Sequence, residues 1–117
     1  MGFQLVTREI ESVVVVQAVG RLTLTDGHTQ LRDLIHVATG DGTKRFVLNL
    51  ARVEFIDSYG IGELARSYSV VRRVGGEMKL AGVNPRVLEV LRISRMTRVF
   101  EIHAEERAAV RAFGQSG

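Results

Sequence analysis

The chain contains no cysteine, no tryptophan and a single proline in 117 residues. Without cysteine, disulfides and thiolate metal sites are excluded, and a structural zinc would have to draw on three scattered histidines plus carboxylates. One proline with 45% hydrophobic and 25% charged residues matches an ordinary globular chain and argues against disorder. Long apolar runs are missing too. No segment approaches membrane-spanning length, and Met1-Gly2-Phe3-Gln4-Leu5-Val6-Thr7-Arg8-Glu9 has no basic start followed by an apolar stretch, so cytoplasm is the expected compartment, with no membrane partner. Excess charge is slight: 16 Lys+Arg against 13 Asp+Glu leave +3, a mild bias. Arg86, Arg92, Arg95 and Arg98 are interrupted by Glu89, and aromatics for base stacking are scarce, so no direct nucleic-acid partner is expected. His28, His36 and His103 lack metal-ligand spacing and receive no role.

What is present reads as one α/β domain over residues 1–117, a size that can bury a real core. Residues 3–7 alternate loosely, and Val13-Val14-Val15-Val16 is a β-branched run ending at Gly20; the two can pair as a hairpin around Glu9 to Ser12. Leu31, Leu34, Ile35 and Ala38 then follow helical spacing, with Asp26 as N-cap and Gly40-Asp41-Gly42 as the stop. Phe46-Val47-Leu48-Asn49-Leu50 suits a central strand buried on both faces. A second helix is expected to bury Ile61, Leu64, Ala65, Tyr68 and Val71, with Glu63, Arg66, Arg72 and Arg73 mostly off that stripe and Gly75-Gly76 ending it. A strand from Glu77 to Val83, a helix begun by Asn84-Pro85, a strand from Val99 to Ile102 and a helix from Ala104 to Phe113 complete the alternation. Two strands followed by alternating helices and strands predict an α/β sheet whose later strands are parallel.

The most informative element is Asp57-Ser58-Tyr59-Gly60-Ile61-Gly62, where an apolar segment ends and a helix begins. Unpaired N–H groups and partial positive charge gather at such a point, so Ser58 either caps the helix or carries a phosphate there. Gly60 and Gly62, lacking side chains, would let another protein approach the hydroxyl, or would only ease the turn. A nucleophile elbow is disfavoured because Ile56 stands at its first glycine position and only a lone His103 follows. Gly60-Ile61-Gly62-Glu63-Leu64-Ala65 mimics a dinucleotide fingerprint, yet no ribose-binding acid lies near Lys79 to Gly82. No catalytic, metal or cofactor residue is assigned.

These residues, with Gly20-Arg21-Leu22, the strand from Phe46 to Leu50, Val53-Glu54-Phe55-Ile56, Gly75-Gly76-Glu77-Met78-Lys79-Leu80 and Val87-Leu88-Glu89-Val90-Leu91, resemble the STAS-domain anti-sigma-factor antagonists of bacteria. The resemblance implies a STAS-like mixed β-sheet with helices packed mainly on one side, and a non-enzymatic protein. It implies that Ser58 is phosphorylated by a serine kinase that is itself the anti-sigma factor, sequestered until phosphorylation releases it, and that a PP2C-type phosphatase restores the hydroxyl. Partner contacts are expected from Asp57, Ser58, Tyr59, Gly60 and Gly62, from Glu63 and Arg66 on the adjoining helix, and from Thr23. Thr23 stands where relatives often carry Asp, and Tyr59 where they place Ser, Thr or Ala. The alternative within the same fold is a scaffold subunit of a larger signalling assembly, with Ser58 only an N-cap.

Overall fold

A computed structural model describes residues 2–25 and 28–114. Five strands form one sheet in the order β1-β2-β3-β4-β5: Phe3–Ile10, Val13–Leu22, Arg45–Ile56, Glu77–Ala81 and Ile102–His103. The first pair is antiparallel and every later pairing is parallel. The hairpin turns through Glu11 and Ser12, both at positive φ, in the two-residue geometry that follows strand twist.

Helices α1 (His28–Gly40), α2 (Ser58–Arg73), α3 (Pro85–Ile93) and α4 (Glu106–Gly114) join them. The side-chain alternation of β2 and β3 sends Val16, Ala18, Phe46, Leu48 and Leu50 into a main core with Leu31, Ile35, Leu64, Val71, Val87 and Leu91 of α1, α2 and α3. Val13, Val15 and Val47 face the other way and pack under Ala109, Val110 and Phe113 of α4. The mixed sheet with helices mainly on one side is therefore as expected. Among the described residues no helix is long and apolar enough to cross a membrane.

Several boundaries differ from the sequence reading. β3 runs six residues past Leu50, and β4 stops at Ala81 rather than Val83. The strand expected over Val99 to Ile102 is displaced: Arg95 adopts a left-handed conformation, a short 3₁₀ turn follows over Met96–Arg98, and only Ile102–His103 pairs with β4. Phe100 dives instead into the main core, its ring edge-on to Tyr68 with centroids 5.0 Å apart. The last helix begins at Glu106, not Ala104. On α2 the buried residues are Gly60, Glu63, Leu64, Ser67 and Val71, so the stripe is turned from the predicted one and takes in a charge; Ile61, Ala65 and Tyr68 are only half-buried. The Asp26 N-cap falls outside the described residues.

One irregularity aims the site. Between Gln17 and Val19 the β3 partner advances from Asn49 to Arg52, so β3 carries an extra residue, and a second shift follows between Gly20 and Arg21. Asn49 holds the bulge: its Oδ1 accepts from Ala51 N at 2.9 Å, while its Nδ2 donates to Glu106 Oε2 of α4 at 2.9 Å. Beyond the bulge, Phe55 turns outward and Arg21 lies over its ring.

α4 is fastened by charge as well as by its apolar face. Buried Lys79 is bound by Glu77 and Glu101, each at 2.9 Å, and sits 4.6 Å from the Phe113 ring centroid. Burial pulls the Lys79 ammonium down in pKa, but its bonds to Glu101 and Glu77 outweigh that and raise it. Burial pushes Glu106 up, yet hydrogen bonds from Asn49 and Arg8 outweigh it and hold the carboxyl below its ordinary value. Because the folded pKa is depressed, the unfolded chain binds more protons in acid, so this stabilisation is present above the ordinary carboxylate range and lost below it. Urea midpoints are expected to fall as pH drops from about 5, less steeply in Glu106→Gln; equal slopes for the two proteins would remove Glu106 from the account.

Candidate functional site

β3 delivers the chain to the sheet edge in extended form, and Asp57 keeps that conformation, with φ −110° and ψ −174°. It is the N-cap of α2: its Oδ1 accepts from Gly60 N at 2.9 Å. Its other oxygen, Oδ2, accepts from Leu24 N at 3.1 Å, and its own N–H donates to Leu22 O at 3.4 Å. One carboxylate thus closes the first turn of α2 and ties it to the segment leaving β2. Ser58 does not cap the helix; it is the first helical residue and is exposed. With the cap supplied by Asp57, its hydroxyl is left to the surface.

The two glycines have different roles. A Cβ on Gly60 would lie 2.2 Å from Leu22 O and 2.7 Å from Ile56 Cγ1. Its missing side chain therefore faces the protein and lets α2 sit against the end of β2, which corrects the expectation that it opens a path to a visitor. Gly62 faces outward: the nearest atom to its absent Cβ is Nη2 of Arg66, at 3.5 Å.

Ser58 is bordered by apolar surface. A cleft of about 290 Å³ between α2 and α3 is lined by Ile56, Asp57, Ser58, Ile61, Val90, Ile93 and Ser94. Ile93 on its rim is 69% exposed, Tyr59 is 52% exposed, and Leu24 and Phe55 are nearly as open. An exposed aliphatic cleft beside a hydroxyl has the composition of a docking surface. Of these, sequence reading singled out only Tyr59. Phe55 carried a usable signal, an aromatic on the outward position beside inward Ile56; Ile93 and Leu24 become visible only once α3 and the β2 exit are placed beside α2.

Besides Gly60, two expected contact residues are inside. Glu63 is 0% exposed, its carboxylate held by Arg32 Nε at 2.9 Å from α1 and by Arg66 Nη2 at 3.4 Å. A lone buried carboxylate is costly, and the paired guanidinium groups compensate. The bond to Glu63 raises the Arg32 pKa further. Thr23 is 5% exposed, with its Oγ1 3.4 Å from Thr25 Oγ1. Neither side chain is presented to a visitor. Arg66 is exposed, and Arg32, which sequence reading did not pick out, completes the ion cluster.

Residues 4–109 match the STAS domain family, and the chain belongs to it. The anti-sigma F factor antagonist of Paenibacillus polymyxa is 29% identical over 111 residues, 91% of each chain. Among solved structures, a candidate anti-sigma factor antagonist from Thermotoga maritima is similar with a TM-score of 0.85 at 21% identity, covering 92% of each chain. The phosphorylated form of the Bacillus cell fate determinant SpoIIAA is similar with a TM-score of 0.72 at 25% identity, covering 96% of this chain and 99% of that one.

The contrast between the glycines is measurable. Gly60→Ala is expected to lower stability by about 3 kcal/mol, the upper end of overpacking costs, because backbone cannot retreat from the added methyl. Gly62→Ala is expected to raise it by up to about 1 kcal/mol through helix propensity. Denaturant midpoints that move together in the two variants would contradict this assignment.

Proposed function

We propose that the chain is an anti-sigma factor antagonist: a non-enzymatic STAS domain that binds an anti-sigma-factor kinase when Ser58 is unmodified and releases it when Ser58 is phosphorylated. The observation that carries the reading is the placement of Ser58, exposed at the first turn of α2, not used as a cap, and bordered by the apolar cleft and by Tyr59. The names of the relatives support it: an anti-sigma F factor antagonist in Paenibacillus, and in Bacillus a related fold with a phosphorylated form.

The physics of the switch follows from the position. A kinase transfers the γ-phosphoryl group of ATP to Ser58 Oγ, leaving ADP and releasing the hydroxyl proton. The product adds about −1.5 to −2 charge, taking the net charge from +3 to about +1. The N-terminal end of α2 tolerates that anion, by about 0.3–1 kcal/mol per charge, so the fold persists. A partner seated on the apolar surface must instead desolvate a dianion, and it leaves. A PP2C-type phosphatase would restore the hydroxyl by hydrolysis of the ester. A hydrolase reading would recruit His103, but that imidazole bonds Glu101 at 2.6 Å on β5, two strands from β3.

Incubated with its cognate kinase and ATP, the parent protein is expected to gain phosphate while Ser58→Ala gains none; equal incorporation would refute the acceptor. In a binding assay Ser58→Ala should retain the kinase and Ser58→Asp should weaken it at least about tenfold, on the order of 1.4 kcal/mol. Unchanged affinity for both would favour the scaffold reading, in which Ser58 carries no switch.

A further inference from the structure

Ser58, Gly62 and Arg66 stand at i, i+4 and i+8 on α2 and so form one row along its surface. Side chains on a helix lean toward its N-terminus, which carries the Arg66 side chain back along this row toward Ser58. The structure has it there: Arg66 Nη2 lies 3.5 Å, and Cζ 3.9 Å, from the position a Gly62 Cβ would take. From that position to the Ser58 Cβ is a single i, i+4 step, about 5–6 Å, and a phosphate on the hydroxyl would reach into the same gap. Because residue 62 is glycine, no side chain stands between them.

Arg66 is also loosely committed. Its contacts to Glu63 are 3.4 Å for both Nε and Nη2, whereas Arg32 holds the same carboxylate from Nε at 2.9 Å. Should Arg66 turn away, Glu63 keeps its shorter partner and is not left as an unpaired buried charge. With its side chain 57% exposed, Arg66 is free to move.

We propose that Arg66 is the internal receptor for the phosphoryl group of Ser58, folding over Gly62 from the Glu63 carboxylate onto the phosphate oxygens. This rests on the reading of Ser58 as the modified residue. It deepens the switch: phosphorylation adds an anion to the docking face and at the same time withdraws an exposed cation from it. A planar guanidinium suits the role, since it pairs with phosphate through two parallel N–H donors.

The test places phosphoserine at position 58 during synthesis, so its outcome does not depend on whether any kinase acts there. The second ionisation of the phosphate, with an unperturbed pKa of about 6, is followed by phosphorus NMR at low ionic strength. The parent phosphoprotein is expected to titrate about half a unit or more below Arg66→Gln. Arg72→Gln, which removes an equal charge near the far end of the same helix, is expected to follow the parent. Coincident curves for the parent and Arg66→Gln, or equal shifts in Arg66→Gln and Arg72→Gln, would overturn the proposal. A failure here leaves the acceptor assignment untouched, because that stands on phosphate uptake by Ser58 against Ser58→Ala.

Discussion

The carboxylate of Asp57 is the constraint from which the site follows. It takes Gly60 N on one oxygen and Leu24 N on the other, so a single side chain fixes both the first turn of α2 and the exit from β2. An N-cap of this kind contributes about 0.5–2 kcal/mol to the helix, and here it also sets position. Ser58 can face outward because its neighbour has taken the capping role. The rest of the arrangement supports that placement: the bulge at Asn49 turns the end of β3, and Gly60 lets α2 lie against Leu22.

Around this fixed point the molecule is divided by charge. The α4 side of the sheet holds Lys79 between two glutamates, and the opposite helical layer holds Glu63 between two arginines. The first joins β4 to the segment entering β5 and meets Phe113 of α4 through Lys79, and the second joins α1 to α2. The cleft beside Ser58 is by contrast lined mostly by aliphatic side chains, Ile56, Ile61, Val90 and Ile93.

Much of this was legible from the residues. The switch from an apolar strand to a helical pattern located the Asp57–Gly62 element, and Asn84-Pro85 and Gly75-Gly76 marked helix ends where they occur. The identity of the cap was not legible, since Asp57 and Ser58 are both favoured cap residues and only the hydrogen bond to Gly60 N separates them. Glu63 was hidden for a different reason. A glutamate on a helix reads as solvent-facing, and its burial depends on Arg32, thirty-one positions earlier in the chain. The strand read at Val99 to Ile102 survives only from Ile102, because the left-handed Arg95 and the insertion of Phe100 into the core keep Val99 and Phe100 out of the sheet.

Amide hydrogen exchange at two positions addresses the central constraint most directly. Replacing Asp57 with Ala should speed exchange at both Gly60 N–H and Leu24 N–H, although they lie 36 residues apart, while the central amides of β2 and β3 keep their protection. Unchanged exchange at both amides would contradict the claim that this carboxylate holds Ser58 at the surface.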